Sequence, residues 1–260
     1  MNICYNADSN YLRPLLISMH SICKYNKGLS FHIISYGGIE LSDFEFIKDE
    51  FNVDVKIYSA NSQMLSMKGH GRFPPVVFGR LYIPELIEEP KVLYIDVDTI
   101  VTSSLLGLWN EECEYICAVE ESGSNIVNSL KSDFKLDDYF NAGVLLINTV
   151  TTRDIFSNAI EIAKNNNLPY LDQDAINISA KGFICSISNQ YNYMSISKNK
   201  IKPVIIHFAH LKPWKRFCLH GYTKEYRDIE IKIDANLPLS PKLSVISFKD
   251  IIKNLYMRLN

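Results

Sequence analysis

The chain has 260 residues, 47% hydrophobic and 22% charged, which excludes a disordered polymer and fits one large α/β domain or two small ones. A formal net charge of −2 argues against a dedicated nucleic-acid binder. That total hides an asymmetry: residues 195–260 hold 13 Lys and Arg against 5 Asp and Glu, a net of +8, while residues 1–194 carry −10.

Taken in chain order, Asn2–Asn6 reads as a short apolar strand ending in the turn cluster Ala7-Asp8-Ser9-Asn10. Leu12, Leu15, Leu16, Met19 and Ile22 recur at helical spacing between Tyr11 and Tyr25, with Pro14 tolerable in the first turn. Phe31–Tyr36 is a second strand stopped by Gly37-Gly38, Ser42 is the expected cap of a helix running to Phe51, and Val53–Tyr58 is a third strand. Strand, helix, strand, helix, strand is the order of a parallel, doubly wound sheet. Phe78–Leu86 reads as helical, Tyr115–Val119 as a strand, and Phe140–Asn148 as a polar-to-apolar junction. A helix follows over Arg153–Asn165, and Leu171-Asp172-Gln173-Asp174 opens another, where acids suit the helix dipole. Pro203–His207 is the last convincing strand, and the 46 residues after Trp214 read as a tail.

The six cysteines form no C-x-x-C pair, and their spacing fits no zinc site, so reduced thiols are expected. Met1-Asn2-Ile3-Cys4-Tyr5 lacks the basic-then-apolar pattern of a signal peptide, and no run approaches the roughly 18–20 apolar residues of a membrane span. The expected location is cytoplasmic, with at most peripheral contact with the inner face of the plasma membrane. The basic end suits phosphate groups or an anionic membrane, or is a solvated face with no partner. From Leu243 to Asn260, Phe248, Ile251, Ile252, Leu255, Tyr256 and Leu259 fall at helical spacing among Lys249, Lys253 and Arg258. Such a basic amphipathic helix either lies on a membrane surface or packs on the body.

The chemistry concentrates in Val92–Val101, an apolar run with Asp96 and Asp98 one residue apart. Two carboxylates at the end of a buried strand are costly unless paired, so they call for a cation such as Mg²⁺ or Mn²⁺ with phosphate as co-ligand. Residues i and i+2 share one face of a strand, so both could reach one ion. The bland alternative is a strand end opening into a solvated turn. His207, at a strand end in a basic neighbourhood, is a structural histidine taken alone and a candidate third ligand beside Asp-x-Asp, where imidazole would favour Mn²⁺. In open α/β sheets ligands bind beyond the carboxyl ends of strands. Asp8–Tyr11, Asp96–Asp98, Asn141–Gly143 and His207–Lys212 could therefore converge on one crevice.

These residues carry a family resemblance. Asn6-Ala7-Asp8-Ser9-Asn10-Tyr11, Gly79-Arg80-Leu81, Leu93–Asp98, Phe140–Asn148, Asp172-Gln173-Asp174, and His207-Phe208-Ala209 with Lys212-Pro213-Trp214 stand in one order over residues 1 to about 215. In that order the chain resembles glycosyltransferase family 8, the retaining group that includes glycogenin and bacterial lipopolysaccharide galactosyl- and glucosyltransferases. The resemblance implies an α/β GT-A fold, with a Rossmann-like nucleotide-sugar-binding domain and mixed central sheet over 1–215 and a short basic tail over 216–260. It implies a UDP-sugar donor, Mn²⁺ (or Mg²⁺) held by Asp96, Asp98 and His207, and a glycan or glycolipid acceptor. Ala7, Asp8, Asn10 and Tyr11, with Asp96 and Val97, match nucleotide-binding positions. Arg80, Asn141, Ala142, Gly143, Asp172 and Gln173 match positions around the transferred sugar, with Gln173 and Asp172 at the reacting centre. Lys212 matches the diphosphate-binding lysine. The family commonly has His-x-x-Gly-x-x-Lys-Pro-Trp. Here His210 replaces the glycine and the loop is one residue shorter, so His210 either narrows the site or adds a phosphate donor. Two rival readings are a haloacid-dehalogenase-like phosphatase and a non-catalytic nucleotide-sugar-binding protein. Donor sugar, acceptor and linkage are not written in the chain; the expected acceptor-reading loops are Ser59–Pro75 and Ser122–Asp138.

Overall fold

A computed structural model describes residues 1–69, 73–121, 123–198, 201–237 and 248–259. The elements run β1 (Asn2–Ala7), α1 (Leu12–Cys23), β2 (Ser30–Ser35), α2 (Glu45–Phe51), β3 (Asp54–Ser59), α3 (Ser62–Ser66), α4 (Ile83–Leu86), β4 (Lys91–Ile95), β5 (Thr99–Val101) and α5 (Leu106–Trp109). There follow β6 (Ile116–Glu120), α6 (Asn125–Phe134), β7 (Phe140–Asn148), α7 (Arg153–Asn165), α8 (Leu171–Ser179), β8 (Ile184–Ser186), β9 (Ile205–His207), α9 (Thr223–Lys232) and α10 (Phe248–Leu259).

Seven strands form one sheet in the order β3-β2-β1-β4-β7-β6-β8. β1, β2, β3 and β4 run parallel, as strand–helix alternation requires, whereas β7 is antiparallel to both β4 and β6. The sheet is therefore mixed rather than purely doubly wound. Its inner strands are apolar on both faces because both faces are covered, while the edge strands β3 and β8 are partly exposed. Ile3, Tyr5, Leu93, Ile95, Val144 and Leu146 point into a core closed by Leu15, Leu16, Met19 and Ile22 of α1. Their alternates Cys4, Val92, Tyr94, Leu145 and Ile147 point into a second core closed by Phe156 and Ile160 of α7 and Ile176 of α8. Each large apolar side chain so buried contributes about 1.5–3 kcal/mol.

Three local expectations are corrected. The run Val92–Val101 is two strands: β4 ends at Ile95, and Thr99–Val101 belongs to a separate two-stranded sheet with β9. Asp96 therefore precedes a turn and Asp98 lies within it, and they do not share a strand face. Asp43, not Ser42, joins a reciprocal cap with Glu40, because the chain enters α2 through a 3₁₀ turn over Leu41–Phe44. Part of the expected loop at Ser122–Asp138 is α6, capped by the Ser124 hydroxyl, which accepts from the Val127 N–H at 3.1 Å.

Residues beyond 216 continue onto the body. Tyr226 of α9 packs with Phe208 and Trp214, and Arg13 of α1 pairs with Glu230 at 2.9 Å and Asp234 at 2.6 Å. The helix expected from Leu243 to Asn260 is described over Phe248–Leu259; its first five residues and Asn260 lie outside the described residues. Asn254 is buried and accepts from the Leu219 N–H at 2.7 Å, which ties α10 to the body. No helix among the described residues is long and apolar enough to cross a membrane.

Candidate functional site

The turn between β4 and β5 is where distant parts of the chain meet. The Asp96 N–H donates to the Gly143 carbonyl at 2.8 Å, which ties the turn to β7, and the Thr99 hydroxyl donates to the Asp96 carbonyl at 2.9 Å. Thr99 is the register partner of His207, and the Phe208 N–H donates to the Asp98 carbonyl at 2.8 Å. Antiparallel pairing of β5 with β9 thus carries His207 across 109 residues of sequence to the acids. Its Nε2 lies 3.3 Å from Asp98 Oδ1 and 3.7 Å from Asp96 Oδ2.

Two carboxylate oxygens and one imidazole nitrogen, all within 4.8 Å of one another, could hold a metal ion. The donor set fits a divalent cation of the hard-to-borderline class. Burial opposes the charge on Asp98, but Lys212 and His207 outweigh it and hold the carboxyl far below the usual carboxylate range. Lys212 donates its ammonium to Asp98 and, at 3.0 Å, to the Phe208 carbonyl.

Arg80 anchors the opposite wall. It sits on a 3₁₀ helix over Pro75–Tyr82 that packs hard against β1: a Cβ at Gly79 would come within 2.7 Å of Asn6 Cβ. The absence of a side chain there lets Arg80 reach Asp96 at 3.0 Å, Asp172 at 2.8 Å and the Ala142 carbonyl at 2.5 Å, with its guanidinium over the Tyr94 ring. Burial works against the Arg80 charge, and Asp172 and Asp96 more than restore it. Asp172 itself is pushed up to about 7 by burial, against the pull of Arg80 and with Asp96 adding repulsion. One arginine therefore serves two acids, and Asp172 carries the desolvation.

Gln173, in the first turn of α8, is held at both ends. Its Oε1 accepts from the Ala142 N–H at 3.0 Å and from Asn141 Nδ2 at 3.2 Å. Its Nε2 donates to the Tyr139 hydroxyl at 3.1 Å and reaches Glu121 Oε2 at 3.4 Å. Tyr139 in turn donates to Asp174, whose other oxygen accepts from the Tyr170 N–H at 2.7 Å, so Asp174 braces the start of α8.

These groups line one cleft of about 400 Å³. Of the residues singled out in the sequence, Tyr11, Arg80, Asp96, Val97, Asp98, Asn141, Gly143, Asp172, Gln173, His207, His210 and Lys212 line it. Ala142 adjoins it through its backbone contacts with Arg80 and Gln173. Ala7, Asp8 and Asn10 are not in the lining; Asp8 accepts from the Asn10 N–H at 2.9 Å and caps the short helix that presents Tyr11. The cleft also contains residues the sequence reading missed, Glu121, Tyr170, Met194 and Lys215, together with Lys253 of the basic C-terminal helix. Glu121 follows the last residue of β6, and the carboxyl-end rule that singled out the other clusters could have found it. Lys253 arrives on α10, a helix that the periodicity foretold without placing it at the cleft.

The model of the family described as Glycosyl transferase family 8 matches residues 2–218. The chain belongs to glycosyltransferase family 8. It is 30% identical over 251 residues to a putative glycosyltransferase of Haemophilus influenzae, covering 85% of this chain and 74% of that one. It is 24% identical to the lipopolysaccharide 1,2-glucosyltransferase of Escherichia coli K12, covering 99% and 86%. Two relatives from Streptococcus pneumoniae are longer, and the chain matches 57% of the length of each. Among solved structures, the galactosyltransferase LgtC with donor and acceptor sugar analogs superposes with a TM-score of 0.78 at 22% identity, covering 97% of this chain and all of that one. The fold is thus GT-A, with the mixed sheet that the family resemblance implied.

Proposed function

We propose that the chain is a retaining hexosyltransferase that moves galactose or glucose from a UDP-sugar to a surface-glycan or lipopolysaccharide-type acceptor, with Mn²⁺ (or Mg²⁺) held by Asp96, Asp98 and His207. The observation that carries this reading is the convergence of those three donors, Arg80 and Gln173 on one cleft of a family 8 fold. Tyr11, with Ala7, Asp8 and Asn10 behind it, receives the nucleotide. Asn141, Ala142, Gly143, Asp172 and Gln173 surround the transferred sugar. Imidazole among the ligands favours Mn²⁺ over Mg²⁺. The location we assign is cytoplasmic, with the tail touching the inner face of the plasma membrane.

In this reaction the bond from the anomeric carbon to the diphosphate oxygen breaks, and the acceptor hydroxyl oxygen bonds to that carbon. A bound divalent ion would neutralise charge building on the leaving diphosphate. Lys212, with His210 beside it, adds positive charge at the same place. Double displacement would need a nucleophile under the anomeric carbon. Gln173 offers only an amide oxygen that already accepts two hydrogen bonds. Same-face substitution is therefore the better-supported route, and the acceptor proton passes to the departing phosphate oxygen without a protein base. A panel of UDP-glucose, UDP-galactose and their N-acetyl forms, assayed for Mn²⁺-dependent hydrolysis without acceptor, tests the reading. UDP release from one hexose donor is expected; binding without turnover of any would instead support a non-catalytic nucleotide-sugar-binding protein.

A further inference from the structure

Among the buried polar groups near the cleft, Asn192 has no role in the proposal above, yet its amide touches the imidazole of His207. Its Oδ1 lies 2.8 Å from His207 Nδ1, and its Nδ2 donates to Asn141 Oδ1 at 2.8 Å. Asn192 is 1% exposed and His207 3%. The segment is laid against β9 by its backbone: the His207 N–H donates to the Tyr193 carbonyl at 3.0 Å and the Tyr193 N–H to the Ile205 carbonyl at 2.9 Å.

An amide can be turned end for end, so its sense must be argued from partners of fixed polarity. Asn141 has two. The Gly143 backbone N–H, which can only donate, meets Asn141 Oδ1 at 2.9 Å. The Glu121 carboxylate, which can only accept when ionised, meets Asn141 Nδ2 at 3.1 Å. Asn141 Oδ1 is thereby an acceptor, Asn192 must face it with Nδ2, and Asn192 Oδ1 is left to face His207. An oxygen there requires a proton on Nδ1, which leaves the lone pair of a neutral ring on Nε2, the nitrogen aimed at Asp96 and Asp98. The backbone is cleared for this packing: a Cβ at Gly143 would sit 2.3 Å from His207 Cε1 and 2.9 Å from Asn141 Oδ1.

We propose that Asn192 is a positioning residue that fixes the tautomer of His207, so that the ring presents Nε2 to the metal, with Asn141 locked between Gly143 and Glu121 setting the direction. The proposal rests on the metal-site reading above. Partners of metal-binding histidines that hold the other ring nitrogen typically govern affinity by 10–100-fold.

The test is a Mn²⁺ titration, read by the electron-spin resonance of free aqueous Mn²⁺, on the full-length wild type, Asn192→Ala and Asn192→Asp. Circular dichroism confirms folding. Asn192→Ala is expected to weaken Mn²⁺ binding by about 10–100-fold. Asn192→Asp keeps an acceptor for Nδ1–H but loses the donor to Asn141 Oδ1, and is expected to bind Mn²⁺ more tightly than Asn192→Ala. The imidazole ¹⁵N spectrum of Mg²⁺-saturated wild type is expected to place the His207 proton on Nδ1, and this arm stands even if Asn192→Ala does not fold. Equal Mn²⁺ affinity in wild type and Asn192→Ala, or a His207 proton on Nε2, would overturn the proposal alone. A wild type that binds no Mn²⁺ would remove the metal-site reading itself.

Discussion

Gln173 illustrates how much one side chain decides. All four of its amide hydrogen-bonding positions are used, two by Ala142 and Asn141 and two by Tyr139 and Glu121. A side chain so held shapes the floor of the cleft and contributes geometry more than nucleophilicity. Gln173→Ala is expected to slow turnover on the order of 10²-fold, the cost of misplacing a reacting centre, without abolishing it. Steady-state kinetics on the identified donor would check this; complete loss with folding and donor binding intact would restore Gln173 as an obligatory nucleophile. The sequence made Asp96, Asp98 and His207 legible because two acids in an apolar run demand a partner. Asn192 was not legible, since a single amide between two tyrosines carries no signal until its neighbours in space are known. Glu121 stood in between: an acid at a strand's carboxyl end, overlooked because its strand was not linked to the cleft.

At the scale of elements, apolar runs foretold the inner strands of the main sheet because β1, β4, β6 and β7 are buried on both faces, whereas the short, exposed edge strand β8 left no such run. The same rule misread Val92–Val101, where the chain leaves one sheet and joins another without losing its apolar character. Only the long-range pairing of Thr99 with His207 explains the break, and pairing across 108 residues leaves no local trace. The C-terminal element raises a separate question. On α10, Asn254 faces the body while Ile252, Leu255 and Tyr256 remain 52%, 48% and 65% exposed. An apolar face beside the +8 charge of residues 195–260 suits an anionic bilayer. Ile252→Ser combined with Leu255→Ser, which leaves Asn254 in place, is expected to abolish flotation with vesicles containing phosphatidylglycerol while sparing UDP-sugar hydrolysis. Undiminished flotation of the double variant would assign the face to another purpose.

For the whole molecule, the acidic body and basic end resolve into a cleft where both signs meet: Asp96, Asp98, Glu121 and Asp172 against Arg80, Lys212, Lys215 and Lys253. Arg80 pairs with Asp96 and Asp172, and Lys212 with Asp98. A divalent cation added to such a set makes the cleft more positive, and the diphosphate of a nucleotide sugar carries the complementary negative charge. The central claim is therefore that Asp96 and Asp98 hold a metal for a diphosphate leaving group and are not themselves nucleophiles. The most direct measurement is Mn²⁺-dependent sugar transfer by Asp96→Asn and Asp98→Asn, with circular dichroism confirming the fold. Loss of Mn²⁺-dependent transfer in both variants is predicted; wild-type rates in either, at the same Mn²⁺ concentration, would contradict the account.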